Sequence, residues 1–409
     1  MDSNNIFLNH IELLTSKRID AARDIVNISQ KYHSLFSKEQ KDFSISLGEV
    51  TRLINDILSR VEEYGENNLD KWGRFDRNKS FLVQNELDQS PVIDELILDV
   101  IKQLGLKVRN IWPHGKKAAV CLTHDVDSIS GLSHLWLRQA NWYSRLLYFK
   151  AKRSREGVDK WLSTIRKWRR FKEQKIDPAD AFDRLQELES RFGFRSTFYF
   201  MSLSHKLSRE GRKYSVKNPR FIQVTRELLE GGWEVGLHAA YHNNLSLNSL
   251  KKQKQRLEEV IQAQVTGCRH HYLRVRFPQS WALYAQAGFN YSSNLGWGGG
   301  FNGFRAGTCL PYQPLKEECS LWEIPLQMMD QNPLLNQEEY LRTFSKYLRH
   351  AKKVGGCLVL NFHQEHMNEE VAPGVGEVYC DILETISKDN DVTVLTMNEV
   401  CSIVNDLAS

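Results

Sequence analysis

The chain has 409 residues, a formal net charge of +5, 41% hydrophobic residues and 26% charged residues. These values describe a soluble globular protein that is too long for one small core, so one large domain with a smaller one is expected. No apolar run approaches the roughly 20 residues of a membrane-spanning helix, so no such span is expected. The seven cysteines are scattered without a Cys-X-X-Cys pair, the pattern of reduced thiols. Met1-Asp2-Ser3-Asn4-Asn5 offers no basic start and no long apolar core follows, so no signal peptide and a cytoplasmic location are expected.

Residues 1–112 read as an N-terminal helical accessory region. Ile45, Leu47, Val50, Leu53, Ile54, Ile57, Leu58 and Val61 recur at mostly helical spacing among Glu, Arg and Asp. Ser90-Pro91 opens a further helix and Gly105 stops it, whereas 67–89 is polar and irregular. No residue cluster here suggests chemistry. From Ile111-Trp112-Pro113 onward, strands alternate with helices. Lys117 to Leu122 is an apolar run without alternation, the mark of a strand buried on both faces, as in a parallel sheet. A basic, aromatic insertion follows over 128–177. A helix to about Phe192 leads to a strand at Ser196–Met201, and a helix over Pro219–Leu229 leads to one at Trp233–Leu237. Helices over Leu247–Val265, Gln279–Ala287 and Gln337–Lys353 alternate with strands near Gly267, at Leu321–Leu326 and at Cys357–Phe362. Val392–Leu395 is the last strand, and Thr396-Met397-Asn398-Glu399 has the capping-box pattern of a helix start. Seven or eight such units in about 290 residues fit a closed or slightly broken barrel better than an open sheet.

Functional groups of parallel α/β folds gather at the carboxyl ends of strands. The first strand ends in Thr123-His124-Asp125-Val126-Asp127. The third ends in His238-Ala239-Ala240-Tyr241-His242, two histidines spaced to face one way on a helical turn and hold one metal ion. The strand at Cys357 ends in His363. Three strand ends delivering Asp, His and His outweigh the ordinary reading of each motif as a turn, a cap or a core histidine.

With these motifs in place, the chain over about Lys116 to the C-terminus resembles the polysaccharide deacetylases of the NodB-homology type, carbohydrate esterase family 4. The resemblance implies a deformed (β/α)7–8 barrel over 113–409 and a metal-dependent hydrolase acting on N-acetylated sugars. By similarity Asp125 is the catalytic base, Asp127, His238 and His242 are the metal ligands, Arg269 orients Asp125, and His363 is the general acid. For the fourth motif of the family, either Trp322 with Glu323, or Asp330, stands in. The usual Pro-Pro-Tyr-Gly is replaced by His270-His271-Tyr272-Leu273, which implies a reshaped groove, and Gly303 to Thr308 looks like a loop of a diverged subgroup.

An acetamide is a poor electrophile and water a poor nucleophile, and a divalent metal, zinc first among the candidates, addresses both. Tyr241, Tyr272, Trp297 and Trp322 are the expected substrate-binding residues, while His124, His270 and His271 read as packing or groove residues. Asp125 as a cap, His363 as a core histidine and Arg269 as a plain ion-pair partner remain the structural alternatives. At the level of function, the alternatives are a hydrolase of another non-peptide C–N bond on a small molecule and a silent glycan-binding or assembly protein. Arg138 to Lys175 holds thirteen Lys or Arg against three acidic residues. Trp161, Ile165 and Trp168 form a helical stripe there with Arg166, Lys167, Arg169 and Arg170 mostly off it, a pattern suited to an anionic membrane surface. No nucleic-acid-binding motif accompanies that charge, so no nucleic-acid partner is expected.

Overall fold

The computed structural model describes residues 5–408 except 18, 20–24, 37–41, 66, 130–143, 174–176, 178–179, 203–213, 242–244, 316–317 and 331–335. In the N-terminal region, helices Ile6–Thr15, Leu47–Leu58 and Val92–Gln103 accompany a two-stranded antiparallel sheet, β1 (Ile25–Ile28) with β2 (Phe43–Ser46). This small sheet departs from the helical expectation for this region. Ile45, which the sequence pattern joins to the following helix, lies in β2, and Ser46 ends the strand by capping that helix, its hydroxyl accepting from the Glu49 amide at 3.2 Å. Four-residue strands that bury every second side chain, as β1 does, are easily lost beside a strong helical periodicity.

The remaining strands are β3 (Ala118–Val126), β4 (Thr197–Phe200), β5 (Glu234–Ala239), β6 (Gly267–His270), β7 (Tyr291–Ser292), β8 (Trp322–Glu323), β9 (Met328–Met329), β10 (Cys357–Asn361) and β11 (Val392–Val394). All pair in parallel, in the order β8-β7-β6-β5-β4-β3-β10-β9. This is the deformed (β/α)7–8 barrel, its two ends at β8 and β9. β3 is the hub. It pairs with β10 along one edge, and on the other with β11 at its start and β4 at its end. Every residue of β3 is buried, as its unbroken apolar run requires.

Helices Phe182–Arg191, Pro219–Glu230, Leu247–Ile261, Gln279–Gln286 and Gln337–Val354 lie close to the expected spans. The capping box forms: the Thr396 amide donates to Glu399 at 2.7 Å and the Glu399 amide to the Thr396 hydroxyl at 3.3 Å. The barrel interior is filled by large side chains, and Gly267 shows the constraint, since a Cβ there would stand 1.9 Å from the ring of Tyr291.

The N-terminal region and the barrel share one hydrophobic core. Their polar junction is the loop Gly303–Thr308. Glu63 accepts from Arg305 Nε at 3.0 Å, Arg60 donates to the Arg305 carbonyl at 2.8 Å, and buried Asp94 accepts from the Thr308 hydroxyl at 2.5 Å and the Cys309 amide at 2.8 Å. Buried ion pairs of this kind are costly to break singly, because the partner charge is left unpaired.

Candidate active site

Strand periodicity sorts the first motif. Thr123 and Asp125 point to one face of β3, and His124 to the other. His124 is accordingly buried under the helices, its Nδ1 2.7 Å from the Phe362 carbonyl and its Nε2 2.8 Å from Glu189. It is a packing residue, outside the site.

Across the interior, Arg269 on β6 reaches Asp125. Its Nη1 donates to Asp125 Oδ1 at 3.1 Å, to the Thr123 hydroxyl at 2.8 Å and to Asn361 Oδ1 at 3.1 Å. Ser293 takes the remaining donors, its carbonyl from Nε at 3.0 Å and its hydroxyl from Nη2 at 2.9 Å, and the guanidinium lies over the Tyr199 ring. The Asp125 amide donates to Asn361 Oδ1 at 3.1 Å. Burial alone pushes the Asp125 carboxyl up, but His238 and Arg269 outweigh it and leave the group below its ordinary value.

His238 is the fifth residue of β5, on the strand itself and not on a helical turn, because pairing between β4 and β6 carries the extended backbone through it. Its Nδ1 lies 3.0 Å from the Arg269 carbonyl, which only accepts, so Nδ1 donates there and Nε2 is the nitrogen turned toward the two aspartates. Nε2 stands 3.6 Å from Asp127 Oδ1 and 4.0 Å from Asp125 Oδ2. His242 lies outside the described residues. His271, read from sequence as a groove residue, instead brings Nε2 to 3.2 Å from the same Asp127 oxygen. Asp127, His238 and His271 form a cluster whose ligand atoms all lie within 4.8 Å of one another. The turn that delivers His271 carries Tyr272 and Leu273 at φ 62° and 51°, left-handed values that side chains seldom adopt.

His363 follows β10, and of the two acidic residues offered for the fourth motif Asp330 is the one against it. Asp330 accepts from His363 Nδ1 on Oδ1 at 2.6 Å and from the His363 amide on Oδ2 at 2.7 Å, and His366 Nδ1 lies 2.8 Å from that same Oδ2. Glu323 is elsewhere, buried among Ser292, Trp281 and the Asn294 and Leu295 amides. Burial lowers the His363 pKa, yet the Asp330 carboxylate prevails and raises it to about 10, while Asp330 is itself held well below the usual carboxylate range.

Asp125, Asp127, His238, His271, Tyr272 and His363 line one pocket, joined by Arg74. Arg74 comes from the N-terminal region, where the sequence shows no cluster suggesting chemistry. Trp297 lines an adjoining cleft. Tyr241 buttresses Tyr272 edge-on, its hydroxyl donating to the Trp72 carbonyl at 2.8 Å. Trp322 is buried in β8 and lines neither cavity.

A family model described as a family of unknown function (DUF7033) matches residues 1–109. A search of the curated proteins found no match. Among solved structures, the chain is similar to a Mycobacterium smegmatis protein assigned as a polysaccharide deacetylase, at 20% identity and TM-score 0.47 over 72% of this chain and 92% of that one. Puue allantoinase is similar at 11% identity and TM-score 0.48, over 73% and 93% of the two chains. A Pseudomonas aeruginosa PAO1 protein assigned as a polysaccharide deacetylase is similar at 13% identity and TM-score 0.48, over 75% of this chain and 97% of that one.

Proposed function

We propose that this protein is a metal-dependent hydrolase that removes N-acetyl groups from an amino sugar or glycan, in the assembly of a surface polysaccharide. The observation that carries the reading is the convergence, on one pocket, of an ionised carboxylate held by a buried arginine, a histidine and carboxylate cluster, and a histidine charged by its own aspartate. The donor set suits a divalent cation of the zinc type: a carboxylate and imidazoles with the His238 tautomer fixed from behind. Asp127 and His238 would hold it, with His242 as the motif implies and His271 as a further ligand. When bound, the cation supplies a Lewis acid that polarises the acetamide carbonyl and eases deprotonation of water.

The chain's own groups divide the proton work. Asp125, kept ionised by Arg269, accepts the proton of the attacking water. His363, protonated at neutral pH through Asp330, gives its proton to the departing amine. Tyr272 lines the pocket at the position of the reshaped groove.

The reading places the enzyme at the cytoplasmic face of a membrane. No helix among the described residues is long and apolar enough to cross one. Peripheral contact through 138–175 rests on charge: Arg166, Arg169 and Arg170 are exposed on helix Arg155–Glu173, whereas Trp161 is buried. The Trp168 and Lys167 side chains lie outside the described residues.

The test is acetate release from N-acetylated sugars and glycans by the zinc-supplemented protein. Asp125→Asn is expected to keep the metal and lose on the order of 10²–10⁴ in turnover. Acetate release by the variant at the wild-type rate would remove Asp125 from the mechanism.

A further inference from the structure

The turn that brings His271 to Asp127 is strained. Tyr272 and Leu273 take left-handed φ values in succession, and such a backbone persists only where its surroundings over-determine it. Leu273 is anchored in the hydrophobic core. Tyr272 is half-buried and is gripped by rings instead: it stacks on Trp72 of the N-terminal region at 5.1 Å and 19°, and Tyr241 meets it edge-on at 5.5 Å.

Trp72 is presented by a tight loop, Asp70–Arg74. Asp70 Oδ1 accepts from the Trp72 amide at 2.8 Å and the Arg74 amide at 2.9 Å, Oδ2 accepts from Arg74 Nε at 2.8 Å, and the Asp70 amide donates to the Arg74 carbonyl at 2.7 Å. An aspartate that gathers the amides after it in this way turns the chain sharply. Gly73 completes the turn at φ 70°, and a Cβ there would also stand 3.1 Å from Arg274 Nε. The loop then offers two carbonyls to the barrel. That of Trp72 accepts from the Tyr241 hydroxyl, and that of Gly73 accepts from Arg276 Nη1 at 2.6 Å. Arg274 ties Tyr241 in turn, donating from Nη1 to its carbonyl at 2.9 Å, with the guanidinium 4.4 Å from its ring centroid. The barrel side of these contacts is Tyr241 and residues 272–276, the segments that follow β5, which carries His238, and β6, which delivers His271.

We propose that the loop Asp70–Arg74 is a positioning element of the metal centre: it clasps the turn His271–Leu273, holds His271 beside Asp127 and His238, and so lets the N-terminal region set how tightly the barrel binds its metal. The proposal rests on the reading of Asp127 and His238 as metal ligands and extends it to residues outside the barrel. Groups that orient a ligand from behind commonly change metal affinity by about 10- to 100-fold when they are lost. Here the orienting contact acts on the ligand's backbone through its neighbour. The His271 ring lies 4.3 Å from that of Tyr272 and 5.1 Å from that of His238, so a turn released from its left-handed values carries the imidazole away from Asp127 Oδ1. Trp72 is thus a positioning residue, acting through Tyr272 and His271.

The experiment is a zinc-affinity measurement on the full chain by competition with a chelator, arranged as a double-mutant cycle between Trp72→Ala and His271→Ala. Trp72→Ala is expected to weaken zinc binding by about tenfold or more, and Trp72→Phe, which keeps a ring on Tyr272, to restore most of it. Added to His271→Ala, Trp72→Ala should cost little further, because its effect runs through that ligand. Tyr241→Phe removes the hydroxyl that the Trp72 carbonyl accepts and keeps every ring, so it should fold and show a smaller loss in the same direction. The same cycle is run with it should Trp72→Ala not fold. Wild-type affinity in both Trp72→Ala and Tyr241→Phe, or an equal loss with and without His271, overturns the positioning role and leaves the reading of Asp127 and His238 standing. Failure of the wild-type protein to bind zinc would overturn that reading and the positioning role with it.

Discussion

The Asp330–His363 pair makes the sharpest demand on the account. Replacing Asp330 with Asn keeps the shape and an acceptor for Nδ1 but removes the charge. Asp330 leads the charges that raise His363 to about 10 against burial, so in the variant, with only Asp127 and Asp125 left to oppose burial, the pKa should fall to about 6.5 or below. At pH 7 the imidazole then passes from almost wholly protonated to less than about a quarter protonated. Histidine-selective proton–nitrogen NMR on metal-free protein reads this directly, the midpoint moving down by about 3.5 pH units or more. Stability carries the same signature with a definite sign. The folded pKa of His363 is raised, so its contribution is complete below 6.5 and fades as pH rises toward about 10. That of Asp330 is depressed, so its contribution is present above 3.8 and lost on acidification. Between those limits Asp330→Asn should destabilise by about 3 kcal/mol in urea titrations, the scale for breaking a buried pair. A His363 that titrates identically in both proteins would refute the assignment of Asp330 as its charge partner.

Two further outcomes follow from features away from the chemistry. His10 is buried, and burial lowers its pKa from 6.5 to about 4 against the hydrogen bond that its Nδ1 donates to the Ile6 carbonyl. Its folded pKa is depressed, so stability is intact above 6.5 and lost as pH falls toward 4; His10→Phe, which keeps a ring against Tyr312, should lessen the loss between pH 6.5 and 5 by about 2 kcal/mol, and parallel pH profiles would contradict this. Co-sedimentation should show binding to anionic but not neutral vesicles, weakening as salt rises, and reduced when Arg166, Lys167, Arg169 and Arg170 become Gln. Equal binding by that variant, or none at low salt, would remove the membrane contact.

The barrel was legible because its long strands are unbroken apolar runs closed by glycines and capping residues, as at Val120 to Leu122 and Leu358 to Leu360. β7 and β9 were not, since two residues carry no period. Asp125, Arg269 and His363 were findable from strand ends and from the family resemblance, and their contacts now give each a physical partner. His271 was missed because its distance to Asp127 depends on the curl of the sheet that draws the end of β6 toward that of β3, with β4 and β5 between them. Only the fold separates Asp330 from Glu323, two acidic residues seven positions apart in sequence, by placing one against His363 and the other beneath Asn294 and Leu295. Arg74 was hidden for a similar reason. It lies in a polar, irregular stretch far from every motif, and it reaches the pocket only because the Glu63–Arg305 junction docks that region on the barrel.

The central claim is that Asp127 and His238 hold a divalent metal at the strand ends. Elemental analysis of zinc-supplemented, desalted protein tests it directly. The account predicts close to one ion per chain in the wild type and loss of most of it in His238→Ala. Equal metal content in the two proteins would contradict it.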